Sequence, residues 1–319
     1  MPRPREGLLI VAFAAVAVFV GGNAVGIRFS NRELDPLWGA GLRFALAASV
    51  LVAAMAVLRL ELPRGRALTG ALLFGLLDVG GAFGFGYYAL IELHAGFGSI
   101  LLAVVPLATL LLAALEGQER LGTVAVAGTL VAVVGVALMS RAPLRESLPL
   151  LSLLAAMGSA LCIAQATVLV RRFPPVHPVT MNAVAMTAGA AVLIAGSVLA
   201  GESLMIPKHA ATWAALGYLV VIGSVVVFVL FLFVLRHWAA SRTAYVYVLV
   251  PFVTVALSAW LDDEPVGAGL VLGGFLVLAG VYAGALRPAR IPPMLPEPAL
   301  GPALQKSPMD AAPPGAPRP

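Results

Sequence analysis

A single carboxylate stands in the middle of the third long apolar stretch of this sequence. No other charged residue lies within ten positions of Asp78. A carboxylate inside a membrane is costly unless it faces a cavity or a partner. It could recognise a substrate ammonium or carry a coupling proton, and it could equally be a neutral, hydrogen-bonded structural group. Helical spacing places four residues on the same face as Asp78: Phe74, Gly81, Ala82 and Phe85.

A second charge and two amides lie in other apolar stretches. Arg43 follows Pro36 by seven residues, which puts it about 10 Å along its helix. From there it can extend to the membrane surface, pair with Asp78 or bind a substrate carboxylate. Asn23 and Gln165 each offer a donor and an acceptor. Both suit a polar neutral or zwitterionic ligand, and both suit hydrogen bonds between helices.

Ser99 and Tyr245 stand near the starts of the predicted fourth and ninth helices, each shortly before a proline, Pro106 or Pro251. The ring of Tyr245 can stack on an apolar or aromatic substrate, or belong to the aromatic belt at the membrane surface. Each proline removes one backbone hydrogen bond and is predicted to kink its helix. Such a kink is either a gating hinge or a static bend.

The sequence carries no pattern typical of catalysis or metal binding. It has one cysteine and four scattered histidines, and it contains no phosphate-binding loop, dinucleotide fingerprint or nucleophile elbow. We therefore predict that the protein is not an enzyme and has no catalytic residue, metal site or cofactor. The one coupling ion that the sequence allows is a proton, carried by Asp78.

The composition indicates which elements position these groups. Apolar residues make up 61% of the 319 residues and charged residues 11%, against about 45–50% and about 25% in soluble domains. A water-soluble globular protein is therefore excluded. An all-α integral membrane protein is predicted, since only helices or closed barrels satisfy their backbone in lipid. Ten stretches are long enough to span: 7–28, 36–58, 67–90, 95–115, 121–139, 148–170, 178–200, 211–235, 240–261 and 267–286.

Charge distribution predicts the orientation. With alternating spans, fourteen Lys and Arg residues fall on the side of the N-terminus and five on the other. Basic residues collect on the cytoplasmic side, so both termini are expected there. This explains the net charge of +5 without a nucleic-acid partner. Residues 287–319 include eleven prolines, which predicts a disordered cytoplasmic tail.

An internal repeat divides the chain into two halves. Residues 95–139 align without a gap on 240–284 with twelve identities. These include a proline, a glutamate and two glycines in the same order. We predict five-helix repeats at 1–140 and 147–286. Because five is odd, the two copies face opposite ways, as in many secondary transporters whose site lies between the halves.

Several short motifs give the chain a resemblance to a known family. These are Gly21 to Arg28, Leu42 to Phe44, Pro106 to Glu119, and the second copy Pro251 to Glu264, each copy followed by two spaced glycines. In this ordered set the chain resembles the EamA family of the drug/metabolite transporter superfamily over 7–286. The resemblance implies ten helices, a central cavity open to one side at a time, and transport of amino acids, related metabolites or drugs, often as export.

The prediction is therefore a secondary transporter of the bacterial inner membrane that works by alternating access. Its predicted activity is export of a small metabolite, an amino acid or a related amphipathic compound. Helices one, three, four, six, eight and nine are expected to line its cavity. Where the family usually has a tryptophan, Val20 stands, so an aromatic wall is missing or supplied elsewhere. A facilitator or exchanger of another metabolite and a non-transporting membrane scaffold are the alternatives. The expected partners are a small-molecule substrate and the lipid bilayer, and the chain is a monomer or a homodimer.

Overall fold

The computed structural model describes residues 6–93, 99, 101–119, 122–139 and 150–261, with seven positions between 272 and 283. Within this part of the chain every regular element is a helix. The helices are α1 (Glu6–Asn31), α2 (Pro36–Val57), α3 (Arg66–Glu92), α4 (Val105–Leu115), α5 (Thr123–Met139), α6 (Leu150–Val170), α7 (Pro178–Ala200), α8 (Ala210–Leu235) and α9 (Val246–Leu261). A 3-10 turn, Leu102–Val104, precedes α4, and a short helix, Ala240–Ala244, precedes α9.

Seven helices of the described chain are long and apolar enough to cross a membrane: α1, α2, α3, α6, α7, α8 and the stretch Ala240–Leu257. They confirm seven of the predicted spans, with ends within a few residues. The helices α4 and α5 are shorter, with 11 and 17 residues. The predicted tenth span is largely, and the predicted tail 287–319 wholly, outside the described residues. The total of ten helices stays a prediction.

Helix ends follow local signals in the sequence. Pro36 and Pro178 occupy the first turns of α2 and α7, where a proline needs no N–H partner and its φ already suits a helix. Gly201 ends α7 in the left-handed conformation, with φ of 72°. A residue without a Cβ takes that conformation at little cost.

Two helices are interrupted near their middles by π-helical turns. In α3 the π segment is Gly75–Ala82, and in α8 it is Val221–Val226. A π turn links residue i to i+5 and changes which side chains face a given neighbour, and such turns are frequent at functional sites. Apolar periodicity does not reveal them, and the sequence analysis did not predict them.

The helix α7 packs closely against both α2 and α3. A Cβ at Gly75 would lie 2.2 Å from the carbonyl oxygen of Ala185, and a Cβ at Gly41 would lie 2.7 Å from Cγ1 of Ile194. Only glycine fits at such distances. Because lipid provides no hydrophobic force between helices, close backbone approach of this kind supplies much of the packing attraction.

The loops at one end of these helices bind each other through carboxylates. After α7, Glu202 accepts hydrogen bonds from the backbone N–H groups of Leu37 at 3.2 Å and Trp38 at 2.8 Å. These N–H groups lie in the first turn of α2, where a helix offers no internal acceptor. In return, Oδ2 of Asp35 accepts a hydrogen bond from the N–H of Ser203 at 2.7 Å.

A similar contact joins the loop after α1 to the start of α8. The Glu33 carboxylate accepts hydrogen bonds from the Thr212 side chain and from the N–H groups of Lys208 and His209. The Thr212 contact, aided by the two N–H groups and the His209 ring and opposed by desolvation, lowers the pKa of Glu33 from 4.5 to about 2. These donors therefore favour the ionised carboxylate.

We expect Glu33→Gln to lower the melting temperature of the detergent-purified protein by a few degrees at pH 7. Because the folded pKa lies below the unfolded one, the ionised carboxylate stabilises the fold above about pH 4.5, and this stabilisation is lost as pH falls towards 2. The difference between wild type and variant should therefore narrow from pH 4.5 downwards. Thermal unfolding at stepped pH measures this.

The matched control is Glu61→Gln, the same change on an exposed loop residue, which should leave the melting temperature unaltered at every pH. A difference between Glu33→Gln and wild type that stays constant from pH 7 to pH 3 would contradict the assignment.

Candidate functional site

A cavity of about 110 Å³ lies inside the helical bundle. It is lined by residues of α1, α3, α6, α8 and α9 and by the segment before α4. Five of the six helices expected to line a central cavity thus do so, and the segment before α4 belongs to the predicted fourth span, 95–115. On α3 the lining residues lie between Ala82 and Leu90, and on α1 between Val20 and Ile27. The cavity therefore extends from the middle of these helices towards the ends at which α1 and α3 finish.

The lining is mostly apolar, with a few polar groups. The aromatic side chains of Phe83, Phe228 and Tyr247 face it, and the first two have ring centroids 5.9 Å apart. Val20 stands where the family usually has a tryptophan, and these three rings supply the aromatic wall in its place. The polar lining residues besides Tyr247 are Asn23, Ser99 and Ser159.

The size of the cavity limits what it can hold in this conformation. Ligand sites commonly measure about 300–1,000 Å³, and a water molecule takes about 30 Å³. The cavity, at about 110 Å³, therefore holds a few waters or a small polar group. A metabolite with a side chain requires the walls to move apart.

Asp78 lies in the π segment of α3, one turn before Ala82, the first cavity residue of that helix. Its side chain is buried, and no hydrogen bond or ion pair joins it to a residue of the described chain. The Cys162 thiol and the Tyr247 hydroxyl lie within electrostatic reach of it. Asp78 itself does not line the cavity, and the lining of α3 begins one turn later, at Ala82.

Arg43 is fully buried between α2, α3 and α8. Its Nε donates to Oγ of Ser224 at 2.8 Å, and its Nη2 donates to the carbonyl oxygen of Gly223 at 2.9 Å. The guanidinium carbon lies 4.8 Å from the Phe44 ring centroid and 4.9 Å from that of Phe83. The side chain thus neither extends to the membrane surface nor forms an ion pair with Asp78 in the described structure.

Asn23 shares an acceptor with Arg43. Its Nδ2 donates to the carbonyl oxygen of Gly223 at 3.2 Å, and the residue also lines the cavity. A Cβ at Gly223 would lie 2.0 Å from Oδ1 of Asn23. The π segment of α8 therefore presents the Gly223 carbonyl oxygen, without a side chain beside it, to Asn23 of α1 and Arg43 of α2.

Other predicted site residues lie away from the cavity. Gln165 donates to Oε1 of Glu116 at 3.1 Å, and Glu116 forms an ion pair with Arg172 at 2.8 Å. Tyr245 is buried and hydrogen-bonded to the hydroxyl of Thr129. Neither Gln165 nor Tyr245 belongs to the lining found in the described chain.

Phe85 is 47% exposed and packs beside Gly158 of α6. The expectation that it shares a face with Asp78 assumed 3.6 residues per turn. The π segment between these positions rotates the following residues by roughly the 100° of one residue. As a result Phe83, and not Phe85, faces the cavity.

The two prolines occupy different local structures. Pro251 lies inside α9. Pro106 lies in the first turn of α4, directly after the 3-10 turn Leu102–Val104, where a proline is tolerated without a kink. The predicted kink within a continuous fourth helix is therefore replaced by a change of helix type before Pro106.

Several functional candidates were missed by the sequence analysis. Phe83, Ser159 and Phe228 line the cavity. Nothing in the local sequence distinguishes them from other apolar or small residues. Phe83 and Phe228 directly follow the π segments of α3 and α8, which set their orientation. Among the described residues no group of three His, Cys, Asp or Glu could hold a metal ion.

Comparisons with known proteins agree with this architecture. The sequence model of the EamA-like transporter family matches residues 7–141 and 150–283. The chain is 29% identical to the "uncharacterized inner membrane transporter YedA" of Escherichia coli (strain K12), covering 89% of this chain and 95% of the relative. It is 27% identical to a "probable amino-acid metabolite efflux pump" of the same strain, covering 87% and 94%.

One solved structure shows the same fold. A crystal structure aligns with a TM-score of 0.71 and 18% sequence identity, covering 87% of this chain and 96% of the other. At that identity the likeness concerns the fold alone. The two matches of the family model extend over nearly all of the chain up to residue 283. The chain belongs to the EamA-like transporter family.

Proposed function

We propose that this protein is a secondary transporter that carries a small amphipathic metabolite across the bacterial inner membrane by alternating access. The observation that carries the proposal is the cavity, which lies among helices from both parts of the chain that the family model matches. Membership of a transporter family and relatives named as inner membrane transporters support it.

The proposal includes ten helices arranged as two inverted five-helix halves, 1–140 and 147–286. Two observations support the halves besides the sequence repeat. The family model matches once in each half, and a π segment occurs in α3 and in α8, about 145 residues apart, which is the offset of the repeat. In inverted repeats of this kind the substrate site lies between the halves near the membrane midplane.

The cavity lining favours an amphipathic substrate such as an amino acid or a related compound. Aromatic and aliphatic side chains can hold an apolar group, while a few polar groups orient the rest. The relative named as an amino-acid metabolite efflux pump supports this class and export as the direction. With both termini in the cytoplasm, as the basic residues favour, the cavity extends towards the outer side.

Asp78 is the proposed coupling residue. It is a buried carboxylate near the middle of α3, without a counter-charge in the described structure and one turn before the first cavity residue of that helix. Ionisable groups in such positions commonly mark proton or substrate pathways. Proton binding and release at Asp78, as the cavity opens to each side, would couple transport to a proton gradient.

We expect Asp78→Asn to abolish the response of transport to an imposed pH gradient. The measurement is uptake of a panel of labelled amino acids into proteoliposomes, with and without the gradient. Wild type should respond to the gradient, and the variant, which cannot ionise, should transport at least tenfold more slowly and show no response. Glu61→Gln makes the same chemical change on an exposed loop and should behave as wild type. Gradient-driven uptake by Asp78→Asn equal to wild type would show that the residue is structural.

Filling the cavity should block transport without unfolding the protein. Ala24 lines the cavity, whereas Val18, six residues earlier on α1, is 50% exposed on the outside of the bundle. We expect Ala24→Phe to reduce uptake at least tenfold and Val18→Phe to leave it unchanged. Both variants should be compared at equal protein content in the vesicles. Equal activity of the two would place the transport path outside this cavity.

A further inference from the structure

Three buried polar atoms beside the cavity have no hydrogen-bond partner. They are Nη1 of Arg43, Oδ1 of Asn23 and the hydroxyl of Tyr87. All three residues are at least nine-tenths buried. Buried polar atoms in folded proteins are nearly always hydrogen-bonded, so a group of three points to something that binds there.

The three atoms belong to one cluster contributed by three helices. Arg43 and Asn23 donate to the same carbonyl oxygen, that of Gly223. The Tyr87 hydroxyl lies beside the Arg43 guanidinium, close enough for a weak side-chain interaction but without the geometry of a complete hydrogen bond. The cluster is therefore formed by α1, α2 and α3 around the π segment of α8.

The cluster carries a positive charge that the described residues do not neutralise. An arginine stays protonated in proteins, and no carboxylate pairs with Arg43 in the described chain, where Asp78 interacts instead with Cys162 and Tyr247. A buried cation without a partner is strongly unfavourable. The rings of Phe44 and Phe83 offer it only partial compensation.

The free atoms are chemically complementary to one kind of group. Nη1 of Arg43 and the Tyr87 hydroxyl are donors that a carboxylate can accept from, while Oδ1 of Asn23 is an acceptor for an N–H. Asn23 and Phe83 both line the cavity, so the guanidinium lies one side chain behind its wall. Movement of the Phe83 ring would open the cluster to a ligand in the cavity.

We propose that Arg43, Tyr87 and Asn23 form a carboxylate subsite at the wall of the central cavity. This inference rests on the proposed transport function and deepens it. The substrate's carboxylate binds Arg43 and Tyr87, an adjacent N–H of the substrate binds Asn23, and its apolar part lies between Phe83 and Phe228. A free carboxylate is then a requirement for tight binding, and charge-neutral analogues of the same shape bind weakly.

The test uses Tyr87→Phe, which removes only a hydroxyl that forms no complete hydrogen bond in the structure and lies beside the Arg43 guanidinium. The probes are labelled leucine and phenylalanine, with leucinamide and phenylalaninamide as matched compounds that lack the carboxylate. Transport of the acids and inhibition by the amides are measured in proteoliposomes at pH 7. Tyr88→Phe is the control, since Tyr88 is the neighbouring tyrosine and is 38% exposed.

Wild type should prefer each acid over its amide by at least tenfold. Tyr87→Phe should weaken the acids about tenfold, the loss expected for one hydrogen bond to a charged group, and leave the amides unchanged. Its melting temperature should equal or exceed that of wild type, because an unpaired buried hydroxyl is gone. Arg43→Gln should remove the preference entirely, while Arg43→Lys should retain part of it.

Two results would overturn the subsite and leave transport intact: the amides inhibiting wild type as strongly as the unlabelled acids do, or Tyr87→Phe weakening both classes equally or neither. A different result tests the function itself. If wild type takes up neither labelled acid while its fold is intact by thermal unfolding, the proposed substrate class is wrong, and the carboxylate subsite is rejected with it.

Discussion

The hydrogen bonding of Arg43 to the π segment of α8 is the interaction on which the interior of this protein depends. In a chain with so few charges, a guanidinium is held by the Gly223 carbonyl and the Ser224 hydroxyl, 180 and 181 residues further along. The same carbonyl binds Asn23. These bonds set α1, α2 and α8 against each other and place the Phe83 ring, which packs on the guanidinium, in the cavity wall.

The packing around this cluster explains how a bundle of apolar helices forms a defined cavity. Glycines let α7 approach α2 and α3 closely. In the loop before α2, the Glu33 carboxylate binds the start of α8, and in the loop after α7, the Glu202 carboxylate binds the start of α2. Close contacts also join the cavity helices: a Cβ at Gly22 of α1 would lie 2.2 Å from the Tyr218 hydroxyl of α8, and a Cβ at Gly21 would lie 2.5 Å from Cγ1 of Val253 of α9. The cavity lies among these helices and α3 and α6.

Much of this arrangement could be predicted from the sequence. Charge-free stretches of sufficient length identified seven spans within a few residues. The misplaced part of the cavity wall has one cause. The π segment of α3 changes the helical register, so that Phe83 and not Phe85 lies in the cavity wall. The π segment of α8 supplies the Gly223 carbonyl to Arg43, and no sequence pattern predicts that contact. Gln165 was expected to be a counterpart of Asn23. Its side chain instead donates a hydrogen bond to Glu116, a contact that depends on the packing of α6 beside α4 and that the sequence alone does not predict.

In the proposed transport cycle, the cavity opens to each side of the membrane in turn. Cys162 is the single native cysteine, so a Cys162→Ser background allows one cavity position, Ala24→Cys or Ala156→Cys, to be labelled alone. The most direct measurement is the rate of labelling by a membrane-impermeant thiol reagent in vesicles of both orientations, with Val18→Cys as the lipid-facing control. Alternating access predicts labelling of the cavity positions from both sides, at rates that a substrate shifts in opposite directions. Labelling from one side only, whatever the substrate, would contradict the account.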